Sequence, residues 1–173
     1  IRNTIFRNNS DISLALDADI NIDRCQFSSN NPLTLLIRHG NFQFTSDLSI
    51  SNSLFRGGST GVVALSTGTL RFSHCTFLNQ SLSGINPQPE IPAFAANSIF
   101  WNQGQPMDPI LSISHSILQF PHAGTGNLIG IDPRLDTDGR PTFSSPAIDR
   151  ASFSLTLPDS TDADNDANTA EPT

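Results

Sequence analysis

Carboxylates are the side chains here whose types and spacing best suit chemistry. Asp162, Asp164 and Asp166 alternate near the C-terminus, with Asn168 after them and Asp159 and Glu171 flanking. Alternating oxygen ligands in a short loop can wrap Ca²⁺, a hard cation that takes about six to eight of them. The spacing begins like an EF-hand loop. However, Ala167 stands where that loop needs glycine, and Glu171 closes it too early. A looser calcium loop built from Asp162, Asp164, Asp166 and Asn168 is the metal site the sequence offers. The plain alternative is a solvated acidic tail.

A second set is Asp17, Asp19 and Asp23, interleaved with Leu16, Ala18, Ile20 and Ile22. Alternation puts Asp17, Asp19 and Asn21 on one face of a strand, with Asp23 near a bend. Residues two apart on a strand lie about 6.8 Å apart. Paired carboxylates at such a distance can hydrolyse glycosides or hold calcium for a lyase. The competing and simpler reading is the polar side of a half-buried strand. Arg38-His39-Gly40 could abstract a proton or neutralise a charge, but the run also reads as a turn. Trp101 is either a sugar-stacking ring or a shield over the core, and His122 has no evident partner in sequence. No nucleophile elbow, phosphate loop or metal-ligand helix occurs.

Whatever chemistry exists must be positioned by a repeat. One pattern recurs: apolar, any, apolar, any, any, small, any, Phe or Leu. It reads Ile20, Ile22, Cys25, Phe27, then Leu48, Ile50, Ser53, Phe55, then Leu70, Phe72, Cys75, Phe77. Ala93, Ala95, Ser98, Phe100 and Leu111, Ile113, Ser116, Leu118 follow, and Ile1, Thr4, Phe6 form a truncated first copy. From Phe6 the last position recurs after 21, 28, 22, 23 and 18 residues. Such steps exclude a solenoid of fixed repeat length. They suit a β-helix whose coils share strands and differ in loops.

Within each copy the period is two, which marks a strand. The alternation slips by one before the small position, so the chain must bend there to keep both segments facing inward. The residue at the bend is Asn3, Arg24, Asn52, His74, Asn97 or His115. Asn and His tolerate a left-handed backbone better than most residues. A second corner is expected at Asn8, Asn30, Gly57, Asn79 and Asn102. Stacking then lines up Thr4, Cys25, Ser53, Cys75, Ser98 and Ser116 in one column and the Phe rings in another. Cys25 and Cys75 fall two coils apart, roughly 10 Å at about 4.8 Å per coil, too far for a disulfide. Two buried free thiols are expected, against the alternative that cysteines of a secreted chain pair.

Composition agrees. Only 36% of the 173 residues are hydrophobic and 14% are charged, yet there are 12 Phe. Net charge is −7, Lys is absent and the nine Arg are scattered. A phosphate-binding surface needs clustered cations, so nucleic acid is not an expected partner. No apolar run reaches the roughly 20 residues of a membrane span. Ile1 opens directly into the repeat, so a mature or partial segment of a longer protein is expected.

After Leu118 the repeat stops and Gly and Pro multiply. Residues 1–120 read as coils, and 121–173 as an irregular cap packed over the last coil, followed by an acidic tail. Solenoids close their ends with such atypical segments. Asp136 and Asp138 read as turn formers beside Gly139. The run Gly-Asn-Leu-Ile-Gly-Ile-Asp-Pro-Arg-Leu at 126–135, with Asp138-Gly139, Ser145-Pro146-Ala147-Ile148-Asp149 and Asp162-Ala163-Asp164-Asn165-Asp166, resembles bacterial choice-of-anchor Q proteins of the pectate-lyase-like β-helix superfamily. The resemblance implies secretion or display on the bacterial envelope and no single activity.

The expectation is therefore an all-β, right-handed, single-stranded parallel β-helix of about six coils with an irregular C-terminal cap. Its expected role is a non-enzymatic extracellular or cell-surface scaffold contacting a protein or polysaccharide, such as an adhesin or an accessory subunit. The alternative is a polysaccharide lyase or glycoside hydrolase acting through Asp17, Asp19 and Asp23.

Overall fold

The structure, a computed structural model, describes residues 1–9, 13–15, 19–28, 33–38, 47–64 and 68–152. Its described elements are all strands. They run β1 (Ile5–Arg7), β2 (Ser13–Ala15), β3 (Ile20–Asp23), β4 (Gln26–Ser28), β5 (Leu33–Arg38), β6 (Leu48–Ser51), β7 (Leu54–Arg56) and β8 (Thr60–Ala64). They continue as β9 (Leu70–Ser73), β10 (Thr76–Leu78), β11 (Ile85–Pro87), β12 (Ala93–Ala96), β13 (Ile99–Trp101), β14 (Ser112–Ser114), β15 (Ile117–Leu118) and β16 (Leu128–Ile129). Up to β13 every third strand pairs in parallel, and then β12 pairs with β14, β13 with β15 and β15 with β16. The Phe sheet is β1-β4-β7-β10-β13-β15-β16, a second sheet is β3-β6-β9-β12-β14, and a third is β2-β5-β8-β11.

Four turns carry all three strands. Beyond them, β13 and β14 supply two sheets, and β15 and β16 continue the Phe sheet alone. The expected six coils thus become about four full turns plus partial layers. The copy that ends at Leu118 keeps its place in the register, but the short linkers around it form no strand in the third sheet.

The bend column is the hinge of each turn. Asn3, Arg24, Asn52, His74, Asn97 and His115 all take φ between 48° and 53°. From Arg24 onward each sits between a strand of the second sheet and one of the Phe sheet, and Asn3 sits between the isolated Arg2–Asp23 bridge and β1, so a single left-handed residue makes the corner. The second corner holds at Asn8, Gly57, Asn79 and Asn102, with φ of 57°, 75°, 61° and 52°. Asn30 lies outside the described residues.

Inside, residues stack by type. Phe6, Phe27, Phe55, Phe77 and Phe100 form one column, each ring 4.8 Å from the next and tilted by 8° or less. That distance is the interstrand spacing, so backbone pairing sets the ring spacing. The small column forms a hydroxyl ladder. Ser53, Ser98 and Ser116 each donate to the carbonyl two residues earlier, at 2.6, 2.7 and 2.7 Å. The same hydroxyls accept from Cys25, Cys75 and Ser98 N–H of the preceding coil, all at 3.1 Å. At the last layer Asn127 Oδ1 replaces the serine and accepts from Ser116 N–H at 3.1 Å.

Buried glutamines add a third internal column, which the repeat pattern above leaves out. Gln80 Nε2 donates to the Phe55 carbonyl at 2.9 Å, and Gln103 Nε2 donates to the Phe77 carbonyl at 3.1 Å and to Gln80 Oε1 at 2.7 Å.

Cys25 and Cys75 are free, and 3% and 1% exposed. Burial pushes the Cys75 thiol up to about 12. Both thiols are sealed inside the coils, so neither cysteine should react with an aromatic disulfide reagent in the native state. Two equivalents should appear on unfolding in guanidinium. Reaction of the folded protein would show that the coils open at this column.

Candidate functional site

The described carboxylates of the first strand face do not form a pair. Asp19 precedes β3 and Asp23 ends it. Four residues of strand rise separate them by about 13 Å, beyond the roughly 5–9.5 Å of glycosidase carboxylate pairs. Each is also engaged. Asp19 Oδ1 accepts from Asp47 N–H at 2.9 Å, and Asp47 Oδ1 accepts from Thr69 N–H at 2.8 Å in the next coil. These aspartates cap the mouths of successive strands. Asp23 accepts from Ser51 Oγ at 2.9 Å and Asn52 Nδ2 at 3.1 Å, and pairs with Arg2 Nε at 3.3 Å. It ties three layers together. Asp17 lies outside the described residues, as do His39 and Gly40; Arg38 ends β5. Asp162, Asp164, Asp166 and Asn168 also lie outside them.

The histidines serve the fold. His74 Nε2 faces Asn97 Nδ2 at 3.3 Å, and that amide also donates to the Ser152 carbonyl at 3.3 Å. An amide N–H aimed at Nε2 requires a neutral acceptor there. His74 Nδ1 and His115 Nδ1 are buried without a described partner. His122 contacts the Ala123 and Asp108 carbonyls through its two ring nitrogens, at 2.8 and 3.2 Å. Trp101 is half-buried on the outer side of the Phe sheet.

Burial holds the His74 pKa below its usual 6.5. In acid the unfolded chain therefore binds a proton more readily than the folded one. Stability from this group is full above pH 6.5 and is lost as pH falls below it, by at most about 1.4 kcal/mol per pH unit. His74→Asn keeps a residue suited to the left-handed corner and removes the titration. Urea midpoints measured at pH 7.5 and 5 should lie closer together in the variant. An identical pH slope would show that His74 protonation costs the fold nothing.

Residues 124–130 close the last coil. Thr125 C=O accepts from His115 N–H at 2.8 Å, and β16 pairs with β15. Gly124 passes so close to the coil that a Cβ there would lie 1.8 Å from the Ile113 carbonyl. Residues 133–152 do not stay on the end. They turn back as a strap along the outside of the Phe sheet. Thr137 C=O accepts from Arg56 Nη1 at 2.6 Å, and Gly139 lies over Leu54 and Leu78. Asp136 Oδ1 makes the turn at the strap tip, accepting from Asp138 and Arg140 N–H at 2.9 Å each. These bonds hold its carboxyl below the usual range, and Gly139 follows with φ of 83°. Ser145 donates to the Pro133 carbonyl and accepts from Ala147 N–H, which folds the strap's return leg. Ser152 is clasped by Asn97: its N–H donates to Oδ1 at 2.8 Å.

Between the strap tip and the first coils runs an open groove of about 730 Å³. Arg7, Arg24 and Arg140 line it, with Asn3, Gln26 and Asn52 between them. Ser53, His74, Thr76 and Asp138 complete its polar lining. The sequence places these three arginines up to 133 positions apart, and the fold brings them to one place.

The family model of the right-handed β-helix region matches residues 1–105, more than half of the 173. The chain belongs to that family. Right-handed winding is also what parallel crossover connections adopt. No curated protein and no solved structure matches the chain. Members of a β-helix family share a scaffold, and activity must be argued from a site. The strap, at 133–152, falls beyond the matched part of this right-handed β-helix. Among the described residues no helix is long and apolar enough to cross a membrane.

Proposed function

We propose that this right-handed β-helix is a non-enzymatic scaffold of the bacterial envelope, secreted or displayed at the surface, that binds a polysaccharide or protein. One observation carries the reading: Asp19 and Asp23, the described carboxylates that would drive hydrolysis, have oxygens committed to holding neighbouring coils together. The resemblance of residues 126–149 to choice-of-anchor Q proteins supports the envelope location. A Ca²⁺ ion held by Asp162, Asp164, Asp166 and Asn168 belongs to this proposal. Calorimetric titration with calcium chloride should show heat that Asp164→Asn, Asp166→Asn removes.

The test is product release from a panel of neutral and acidic polysaccharides, with and without calcium. Neither new reducing ends nor unsaturated products should appear. Turnover that disappears in an Asp17→Ala, Asp19→Ala variant would replace the scaffold reading with a lyase or hydrolase.

A further inference from the structure

We propose that His74 and Asn97 form an acid-sensitive latch: a proton on the His74 ring makes Asn97 let go of Ser152 and lifts the return leg of the strap. The inference goes beyond the scaffold reading and does not depend on it. What each atom can do fixes the latch. The Ser152 N–H can only donate, so the Asn97 oxygen must face it, as it does at 2.8 Å. The Asn97 nitrogen then has two hydrogens to place. One goes to the Ser152 carbonyl and the other to His74 Nε2, each at 3.3 Å. His74 Nε2 must therefore carry the lone pair, with the ring's single proton on Nδ1. The arrangement holds only while the ring is neutral.

A second proton makes Nε2 a donor, and two donors then face each other. Turning the Asn97 amide over would satisfy His74. It would also point the amide nitrogen at the Ser152 N–H and the oxygen at the Ser152 carbonyl, so both bonds of the clasp would set like against like. No orientation of Asn97 serves the imidazolium and the strap together. The surroundings do not compensate. His74 borders two cavities. Arg7, Arg24, Arg140, Asp138 and Cys25 line the first with it, and Arg150, His115 and Cys75 line the second. Four guanidiniums and one carboxylate share those walls, a poor setting for another cation.

Burial holds His74 below 6.5 in the clasped state. Once the leg lifts, the ring meets water and takes a proton more readily. Acid therefore favours the lifted leg, by up to about tenfold per pH unit below 6.5. The strap tip stays attached, because Arg56 holds the Thr137 carbonyl. The movement is confined to the return leg. It uncovers a strip of the Phe sheet at Thr76, Ile99 and Ile117, which Ala147 and Ala151 otherwise face across the second cavity.

Nitrogen–proton NMR of the full chain between pH 7.5 and 5 tests the latch. Imidazole nitrogen shifts should show His74 protonated on Nδ1 alone at pH 7.5. The Ser152 amide should then move with the same midpoint as the His74 ring. Its protection from hydrogen exchange, corrected for the intrinsic rate, should fall at least about tenfold by pH 5. His74→Asn offers an acceptor that does not titrate, in a residue already used at that corner, and should keep Ser152 protected throughout. Asn97→Asp places two acceptor oxygens between the His74 ring and the Ser152 N–H. It should therefore hold Ser152 at pH 5 as well as at pH 7.5, a result that mere loss of a structural contact would not give. His115→Asn should titrate as the parent does. A proton on Nε2 at pH 7.5 would overturn the latch, as would Ser152 protection that does not follow the ring. So would an acid loss that persists in His74→Asn or vanishes in His115→Asn.

Discussion

Phe77→Ala is expected to cost about 3–5 kcal/mol of folding stability, the loss a fully buried aromatic brings. The ring is fully buried, with Phe55 on one face and Phe100 on the other, and Phe72 meets its edge at 5.7 Å. The size of the loss depends on whether neighbours can collapse into the void. Here they cannot. Both stacking partners are fixed at the interstrand spacing by their own backbone ladders. Two glycines also approach the ring: a Cβ on Gly61 would lie 2.8 Å from Phe77 Cδ1, and one on Gly84 3.1 Å from Phe77 Cβ. Neither glycine has a side chain that could fill the hole. Phe6→Ala supplies the comparison. Phe6 stacks on one face only and is half-buried, so about 1–2 kcal/mol is expected there. Urea unfolding measures both through the midpoint at constant slope. Equal losses at the two positions would mean that the ring column is not the core of the fold.

How much of this was legible depends on whether the backbone or the register decides. The corner column could be read because a left-handed corner selects for Asn and His. The pattern then identified Arg24, an unusual residue there, by position alone. The Phe and Cys–Ser columns could be read because inward positions repeat with them. The glutamine column left a weaker signal: Gln80 and Gln103 each follow a Phe of the stack by three residues. A buried Gln and an exposed Gln look alike in sequence, and their partners are main-chain carbonyls supplied by other coils. The role of Asp19 was hidden for the same reason, because its partner is the Asp47 amide one coil away. The arginine groove was the hardest to see. Arg140 reaches it only because the strap turns back, and that path is set by tertiary contacts at Arg56 and Asn97 rather than by any periodicity. The coil count erred because an apolar pattern announces a strand in one sheet without guaranteeing that its linker makes a third.

The strap also sets the second large effect. Asn97→Ala should cost about 2–4 kcal/mol, from a left-handed backbone that alanine resists and from two lost hydrogen bonds to Ser152. Asn97 has φ of 50° and clasps the Ser152 backbone through both amide atoms. Asn97→Gly separates the contributions, because glycine accepts the corner and still drops the clasp. The glycine variant should recover about 1 kcal/mol or more of the loss. Hydrogen exchange locates what remains. If the clasp holds the strap, amides of its return leg, such as Ser145 and Ile148, should exchange faster in both variants, while Leu54 and Thr76 in the coil ladder stay protected. Because Arg140 and Asp138 ride on that strap, its release should also open the groove without touching Arg7 or Arg24. Loss of protection throughout the coils would assign Asn97 to the β-helix itself and make the strap a passenger.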